Sequence, residues 1–259
     1  MEKKLKIFAI SNQKGGVGKT TSTVNLAAAL ANNQKKVLLI DLDPQANATS
    51  GSGVSKKDIH GSIYEVLIGN KNLKDIITRS PSEKFDVAGA NQALAGAEVE
   101  LVDLPKREYI LKNQINTLNG YDFILIDCPP ALNLLTVNAL VAANSVIIPM
   151  QCEYFALEGL SDLVSTIKKV KQHLNPNIEI EGLLRTLFDR RNTLTKQVSD
   201  QLAAHFGSKV YTTIIPRNVR LAEAPSYGQS VISYDRSSKG AKAYLTLAEE
   251  ILLGQHNEK

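Results

Sequence analysis

Lys14-Gly15-Gly16-Val17-Gly18-Lys19-Thr20 lies between a short apolar run, Lys6 to Ile10 (KIFAI), and an Ala/Leu-rich stretch from Thr20 to Asn33 (TTSTVNLAAALANN). The apolar run reads as a buried strand and the Ala/Leu stretch as a helix. Glycines between them let the backbone turn its amides inward around phosphate oxygens, a nest that Cβ atoms would obstruct. The helix directs its N-terminal dipole at the same anion. In such a loop Lys19 would reach the β- and γ-phosphates of a nucleotide, and the Thr20 hydroxyl would ligate Mg²⁺. The loop departs from the usual G-x-x-x-x-G-K-[ST] pattern, because Gln13 stands where the first glycine belongs and a second lysine, Lys14, enters. A glycine-rich turn with chance lysines is the alternative; the strand before, the helix after and two carboxylates elsewhere weigh against it.

Outward from this loop the pattern repeats. Val37 to Ile40 stops at Asp41, Phe123 to Ile126 stops at Asp127, and Ser145 to Ile148 stops at Pro149, with further strands predicted at Ile180 to Leu187 and Val210 to Ile215. Helical stretches are predicted at Leu157 to His173, Thr195 to Phe206 and Ala241 to Leu253. Continuous apolar strands separated by helices describe a mostly parallel, twisted sheet covered on both faces, an α/β fold. Ligands bind such sheets at the carboxyl ends of the strands, where each polar motif falls. The Ser- and Gly-rich stretch 49–62 is expected to be a mobile loop.

Two acidic segments follow strands. Asp41-Leu42-Asp43-Pro44-Gln45-Ala46-Asn47 places carboxylates where one can order a water or act on Mg²⁺ through it; taken in isolation, D-P-Q-A-N reads more readily as a turn. Ile126-Asp127-Cys128-Pro129-Pro130 has the Walker B arrangement, an apolar strand ending in a carboxylate that holds the Mg²⁺ shell through water.

With 259 residues and 43% hydrophobic composition, the chain can bury a full core, and residues 1–259 are expected to form a single domain, two small ones being the alternative. No run approaches the ~18 apolar residues of a membrane span. The N-terminus lacks a signal peptide's long apolar region, so a cytoplasmic location is expected. Cys128 and Cys152 are too few for a disulfide framework. The net charge of +4 is unevenly placed. Residues 1–184 hold 19 Lys/Arg against 19 Asp/Glu, whereas 185–242 hold 10 against 4. That surplus fits either a polyanion-binding face or a merely solvated surface.

Lys14 to Thr21, K-G-G-V-G-K-T-T, resembles the deviant Walker A loop of the ParA/MinD class of P-loop ATPases, and the resemblance runs from residue 6 to about 253. A-G-A-E-V-E-L (95–101), L-T-V-N-A-L (135–140), A-L-E-G-L (156–160) and I-P-R-N-V-R-L-A-E-A-P-S (215–226) resemble the short chromosomal Soj-type members. No separate helix-turn-helix domain is expected, since the loop begins at residue 14.

The resemblance implies an ATP hydrolase that uses ATP and Mg²⁺ and is slow without its partner. It implies that Lys14, Gly15, Gly16, Val17, Gly18, Lys19, Thr20 and Thr21 bind nucleotide. Lys14 reaches across a sandwich homodimer to the partner's phosphates, and Gly16 lies at that interface. Asp43 assists the attacking water, and Asp127 holds Mg²⁺ through water. Gln151-Cys152-Glu153 lines the interface near nucleotide, and Pro216-Arg217-Asn218 forms the adenine-side loop.

Relatives of this type bind double-stranded DNA non-specifically as ATP dimers and are released when a ParB-type centromere-binding protein stimulates hydrolysis. Arg191 and Arg220, with Lys239 and Lys242, match the DNA-binding positions, which implies nucleoid association and chromosome segregation. The rival is a MinD-like membrane-associated ATPase or another cargo positioner. Membrane binding asks for a terminal amphipathic helix with a basic polar face, and Leu245 to Lys259 carries Glu249, Glu250 and Glu258 instead. Paired cysteines can also clamp a metal cluster between subunits, as in the nitrogenase iron protein, a cousin; small buried thiols are the simpler reading.

Overall fold

A computed structural model describes residues 5–57, 59–154 and 156–254. Phe155 and the tail residues 255–259, quoted above, lie outside the described residues.

Eight strands form one sheet: β1 (Lys6–Ile10), β2 (Val37–Asp41), β3 (Ile77–Arg79), β4 (Asp86–Ala88), β5 (Phe123–Asp127), β6 (Ser145–Gln151), β7 (Glu179–Phe188) and β8 (Val210–Pro216). Their spatial order is β3-β4-β2-β5-β1-β6-β7-β8. Every pairing is parallel except that of β3 with β4 at one edge. Between their end residues the central strands are apolar because both faces are covered. Ile7, Ala9, Leu38, Ile40, Ile124 and Ile126 enter one core, and Phe8, Ile10, Leu39, Phe123 and Leu125 enter the other.

The strand ends are in register where the chemistry lies. Ile10 and Asp41 both pair with Asp127, so the loop after β1 and the two aspartates meet at one edge of the sheet. These aspartates belong to their strands instead of terminating them. β6 also runs on through Pro149 to Gln151. Proline is tolerated there because β1 pairs with β6 only as far as Ile147, and Asn12 Nδ2 donates to the Pro149 carbonyl at 2.8 Å. No ladder donor is needed on that side.

The helices expected from sequence form, with starts set by caps. Asn192 caps Thr193–Phe206, and Ser238 caps Lys239–Leu253, two residues earlier in each case than the apolar pattern suggested. The sequence reading omitted the helix Leu134–Ala142, whose Asn133 side chain accepts from Thr136 N, and the edge strands β3 and β4. The expected loop 49–62 is corrected in part. Asn47–Gly51 is a short helix, with Thr49 held by Asp41 and the Ser50 hydroxyl bonded to the Ala46 carbonyl.

Candidate nucleotide site

The loop between β1 and α1 (Lys19–Asn32) is shaped by two glycines in the left-handed region, Gly16 at φ 73° and Gly18 at φ 85°. A Cβ at Gly15 or Gly16 would project into open space with nothing within 4 Å, so this side of the loop is an open cradle. Gly18 is the N-cap of α1 and no side chain caps the helix, which leaves its first amides directed at the cradle. The back of the loop is fixed by the Thr186 hydroxyl, which donates to the Val17 carbonyl at 2.7 Å, and by Asn12 Oδ1, which accepts from Lys14 N at 2.9 Å.

The two lysines are held differently. Lys19 is 7% exposed, and its Nζ donates to the Lys14 carbonyl at 3.0 Å. Burial pulls its ammonium below the ordinary value, against the opposing charge of Asp127. Lys14 is half-exposed, and its ammonium lies 2.5 Å from Glu153 Oε2.

Asp127 is fully buried. It accepts from the Thr20 hydroxyl at 2.8 Å on one oxygen and from the Thr23 hydroxyl at 2.8 Å on the other. Asp41 beside it accepts from the Thr49 amide and hydroxyl and, at 3.1 Å, from Asp43 N. Burial first, and then the charge of Asp41, push Asp127 above the ordinary carboxylate range. Burial pushes Asp41 the same way, with its Thr49 bonds pulling back. Two raised carboxylates side by side form an electrostatic arrangement that gains from a cation. A hydroxyl and a carboxylate beside a phosphate cradle are the donor set suited to Mg²⁺ with nucleotide.

Asp43 opens the turn that its sequence suggested. Its Oδ1 accepts from Gln45 N at 2.9 Å and its carbonyl from Ala46 N at 2.8 Å. The two readings of D-P-Q-A-N are therefore compatible, since the turn presents the carboxylate at the strand end.

Two clefts flank Thr21. One, about 370 Å³, is lined by Gly18, Thr21, Thr186, Leu187, Arg217 and Asn218 among others. It brings Arg217 and Asn218 of the predicted Pro216-Arg217-Asn218 segment beside the phosphate loop, with Pro216 outside its lining, and adds Thr186 and Leu187, which sequence reasoning missed. Leu187 has φ 49°, strained for a leucine; nothing in its sequence neighbourhood signals this. Pro216 ends β8, and Asn218 Oδ1 is committed to capping the short helix Val219–Glu223. The second cleft, about 410 Å³, lies between Thr20, Thr21, Asn25, Asn47 and Pro225.

Both cysteines are buried, and burial raises both thiols, Cys152 to about 11.

The basic third is less uniform than its composition. Arg185 is half-buried, donating to the Ser199 hydroxyl and to the Tyr211 carbonyl. Arg236 lines a separate cleft with Asn32 and Lys84. Arg190, Arg191, Arg217, Arg220, Lys239 and Lys242 are exposed. Arg217 N bonds to the Phe188 carbonyl at 3.2 Å, joining the segments that follow β7 and β8. Gly240 packs so closely on Leu221 that a Cβ would lie 2.7 Å from it, which sets the start of the C-terminal helix against Val219–Glu223. These segments thus share one end of the sheet.

A glycine cradle ahead of an uncapped helix, with a buried lysine and a threonine–aspartate pair beneath it, defines a P-loop ATPase. Residues 5–180 match the AAA domain family. The chain is 53% identical to the sporulation initiation inhibitor protein Soj of Bacillus subtilis, over 95% of this chain and 98% of that protein. It is 48% identical to the chromosome partitioning protein ParA of Caulobacter vibrioides, over 96% and 94%. Its fold matches that of cobyrinic acid a,c-diamide synthase from Mycobacterium smegmatis, solved with bound ATP analog and magnesium. That match has a TM-score of 0.86 and 36% identity, over 99% of this chain and 98% of that one. The chain belongs to the AAA domain family and, within it, to the ParA/Soj ATPases.

Proposed function

We propose that this chain is a chromosome-partition ATPase: ATP joins two copies into a dimer that binds DNA without regard to sequence, and hydrolysis releases it. The observation that carries the reading is the division of labour between the two loop lysines. Lys19 is buried beneath the cradle, where its charge serves the subunit's own nucleotide. Lys14 stands half-exposed on the rim, where its ammonium can meet a second copy.

In this reading the amides of Lys14 to Thr21 hold the phosphates, and the cleft of Thr186, Leu187, Arg217 and Asn218 takes the base, with Pro216 setting the turn. Mg²⁺ would be held by Thr20, with Asp127 and Asp43 acting through water, and supplies neutralising charge at the phosphates. Asp127 orients the Thr20 hydroxyl and is itself braced by Thr23. Asp43 positions a water and takes its proton. Glu153 and Gly16 lie on the face that meets the partner copy. Turnover is slow until a ParB-type centromere-binding protein completes the site, and Arg191, Arg220, Lys239 and Lys242 bind DNA phosphates on the nucleoid. The name of the Caulobacter relative, a chromosome partitioning protein, supports this cargo over a membrane one. No helix among the described residues is long and apolar enough to cross a membrane.

The test is fluorescence anisotropy of unrelated duplexes titrated with protein at two salt concentrations, without nucleotide, with ADP, and with ATP and Mg²⁺. Binding only with ATP, indifferent to sequence and weakened by salt, is the expected result. Binding that ignores nucleotide sinks the switch, and ATP-dependent flotation with anionic vesicles would move the reading to the membrane.

A further inference from the structure

Two exposed arginines of the basic third, Arg191 and Arg220, are already paired with carboxylates. Arg191 Nε donates to Asp189 Oδ1 at 3.0 Å and Nη2 to Oδ2 at 2.9 Å, a bidentate fork of the kind a guanidinium makes with phosphate. Arg220 is gripped from two elements: Nη1 donates to Glu223 Oε2 at 2.8 Å, and Nε lies 3.4 Å from Asp235 Oδ2. Arg191, and more weakly Arg217, hold Asp189 down at about 2, so its carboxylate stays charged at any physiological pH. At this end of the sheet Arg191 and Arg217 act on Asp189, and Arg220 meets Glu223 and Asp235.

Resting on the DNA-binding reading, we propose that Asp189, Glu223 and Asp235 are internal phosphate mimics that mask Arg191 and Arg220 from DNA. Two physical points carry this. An arginine that leaves a carboxylate for a phosphate exchanges one ion pair for another, so its net gain is small. The abandoned carboxylate then stands against the DNA backbone and repels it. One subunit is therefore left with a shallow basic surplus that binds polyanions poorly. Two subunits joined as one body add their surpluses on one ligand, and the second contact forms at high effective concentration. The carboxylates thus make DNA binding depend on dimerisation and keep the loaded dimer releasable. Without them, a single subunit would cling to DNA whatever its nucleotide.

The amide variants suit the test because they keep the local turns. An Asn at 189 still accepts from Arg191 N, as Asp189 Oδ1 does at 3.0 Å; a Gln at 223 can still accept from the Tyr234 hydroxyl; an Asn at 235 can accept from Ser237 N. Glu249 is exposed and makes no ion pair among the described residues, so Glu249→Gln changes net charge equally without unmasking an arginine.

Duplex DNA anisotropy over a range of salt, with and without ATP, is measured on the full chain and on Asp189→Asn, Glu223→Gln, Asp235→Asn and Glu249→Gln. The first three are expected to bind tighter, with the salt slope steeper by about 1 for Asp189→Asn and by less for Glu223→Gln or Asp235→Asn, each of which leaves Arg220 its other carboxylate. They should also retain measurable binding without ATP, while Glu249→Gln matches the parent chain. Weaker binding in the three, or the same gain in all four, overturns the mask. Heparin chromatography without nucleotide is the second measurement, on which the three should elute at higher salt. If the parent ATP form binds no DNA while the three still elute later, the DNA reading falls and the mask stands. If the parent binds DNA and the variants bind no better, the mask alone falls.

Discussion

Within a single subunit the Lys14 ammonium sits 2.5 Å from the Glu153 carboxylate, a contact that joins the rim of the phosphate loop to the turn after β6. The lysine that would serve a partner copy is thus parked on its own subunit. Both side chains are about half-exposed, at 44% and 45%, and such pairs are worth up to about 1 kcal/mol. The latch is strong enough to set a bias and weak enough to release.

Glu153→Gln is therefore expected to lower the ATP concentration needed for dimerisation by up to about 5-fold, a 1 kcal/mol latch expressed as a ratio. Gel filtration or light scattering against ATP measures it. A higher requirement would mean that Glu153 helps hold nucleotide more than it restrains Lys14. Lys14→Ala should spare nucleotide binding by the monomer but lose the dimer, and full dimer with ATP would remove the cross-subunit role.

Lys19→Ala should abolish ATP binding in calorimetry. The loop places no other buried ammonium beneath the cradle, and the charge cannot be replaced from Lys14 while that residue points to Glu153. Unchanged affinity would refute the loop assignment.

Asp43→Ala should hold the ATP dimer together and stop turnover, read as dimer persistence alongside phosphate release. Its amide bond to Asp41 is a backbone contact and survives the change, whereas the Oδ1 cap on Gln45 is lost. A loss of about 1 kcal/mol in stability should accompany the catalytic effect. Hydrolysis at the parent rate would exclude Asp43 from the chemistry.

Glu250 ties the C-terminal helix to the edge strand β8. Its carboxylate accepts from the Thr212 amide and hydroxyl at 2.7 and 2.6 Å and from Thr213 N at 3.0 Å. Burial alone would raise its pKa, but these bonds outweigh burial and hold it below the ordinary 4.5. A depressed carboxylate stabilises the fold fully above its unfolded value. Its contribution shrinks as pH falls beneath 4.5 and through the lower folded value. Glu250→Ala should cost about 1–3 kcal/mol at neutral pH by leaving those donors unmet. Denaturant titrations at pH 7 and pH 3 should show the difference between variant and parent narrowing in acid. A constant difference would mean that packing, not charge, is what the side chain supplies.

Much of this molecule was legible as a string of residues. The loop could be read because its glycines, lysines and threonine act through local backbone geometry: a turn at φ near 80° and a helix start need only neighbours a few positions away. The strands could be read because a strand buried on both faces must be apolar at every position, whatever lies against it. That the aspartates closing β2 and β5 would be sheet neighbours was not in the sequence. Asp41 and Asp127 are 86 positions apart, and only the parallel register makes them share one electrostatic site. The same holds for Thr23 bracing Asp127, for Leu187 in its strained conformation, and for the helix at Asn47–Gly51, where Asp41 reaches eight residues ahead to overrule a Ser- and Gly-rich composition. The charge of the C-terminal third shows the division most clearly. Its surplus of lysine and arginine is a property of the sequence. That Arg185 is half-buried in structural bonds while Arg191 and Arg220 are held by carboxylates is a property of the fold, because ion pairing falls off with distance in space and takes no account of distance along the chain.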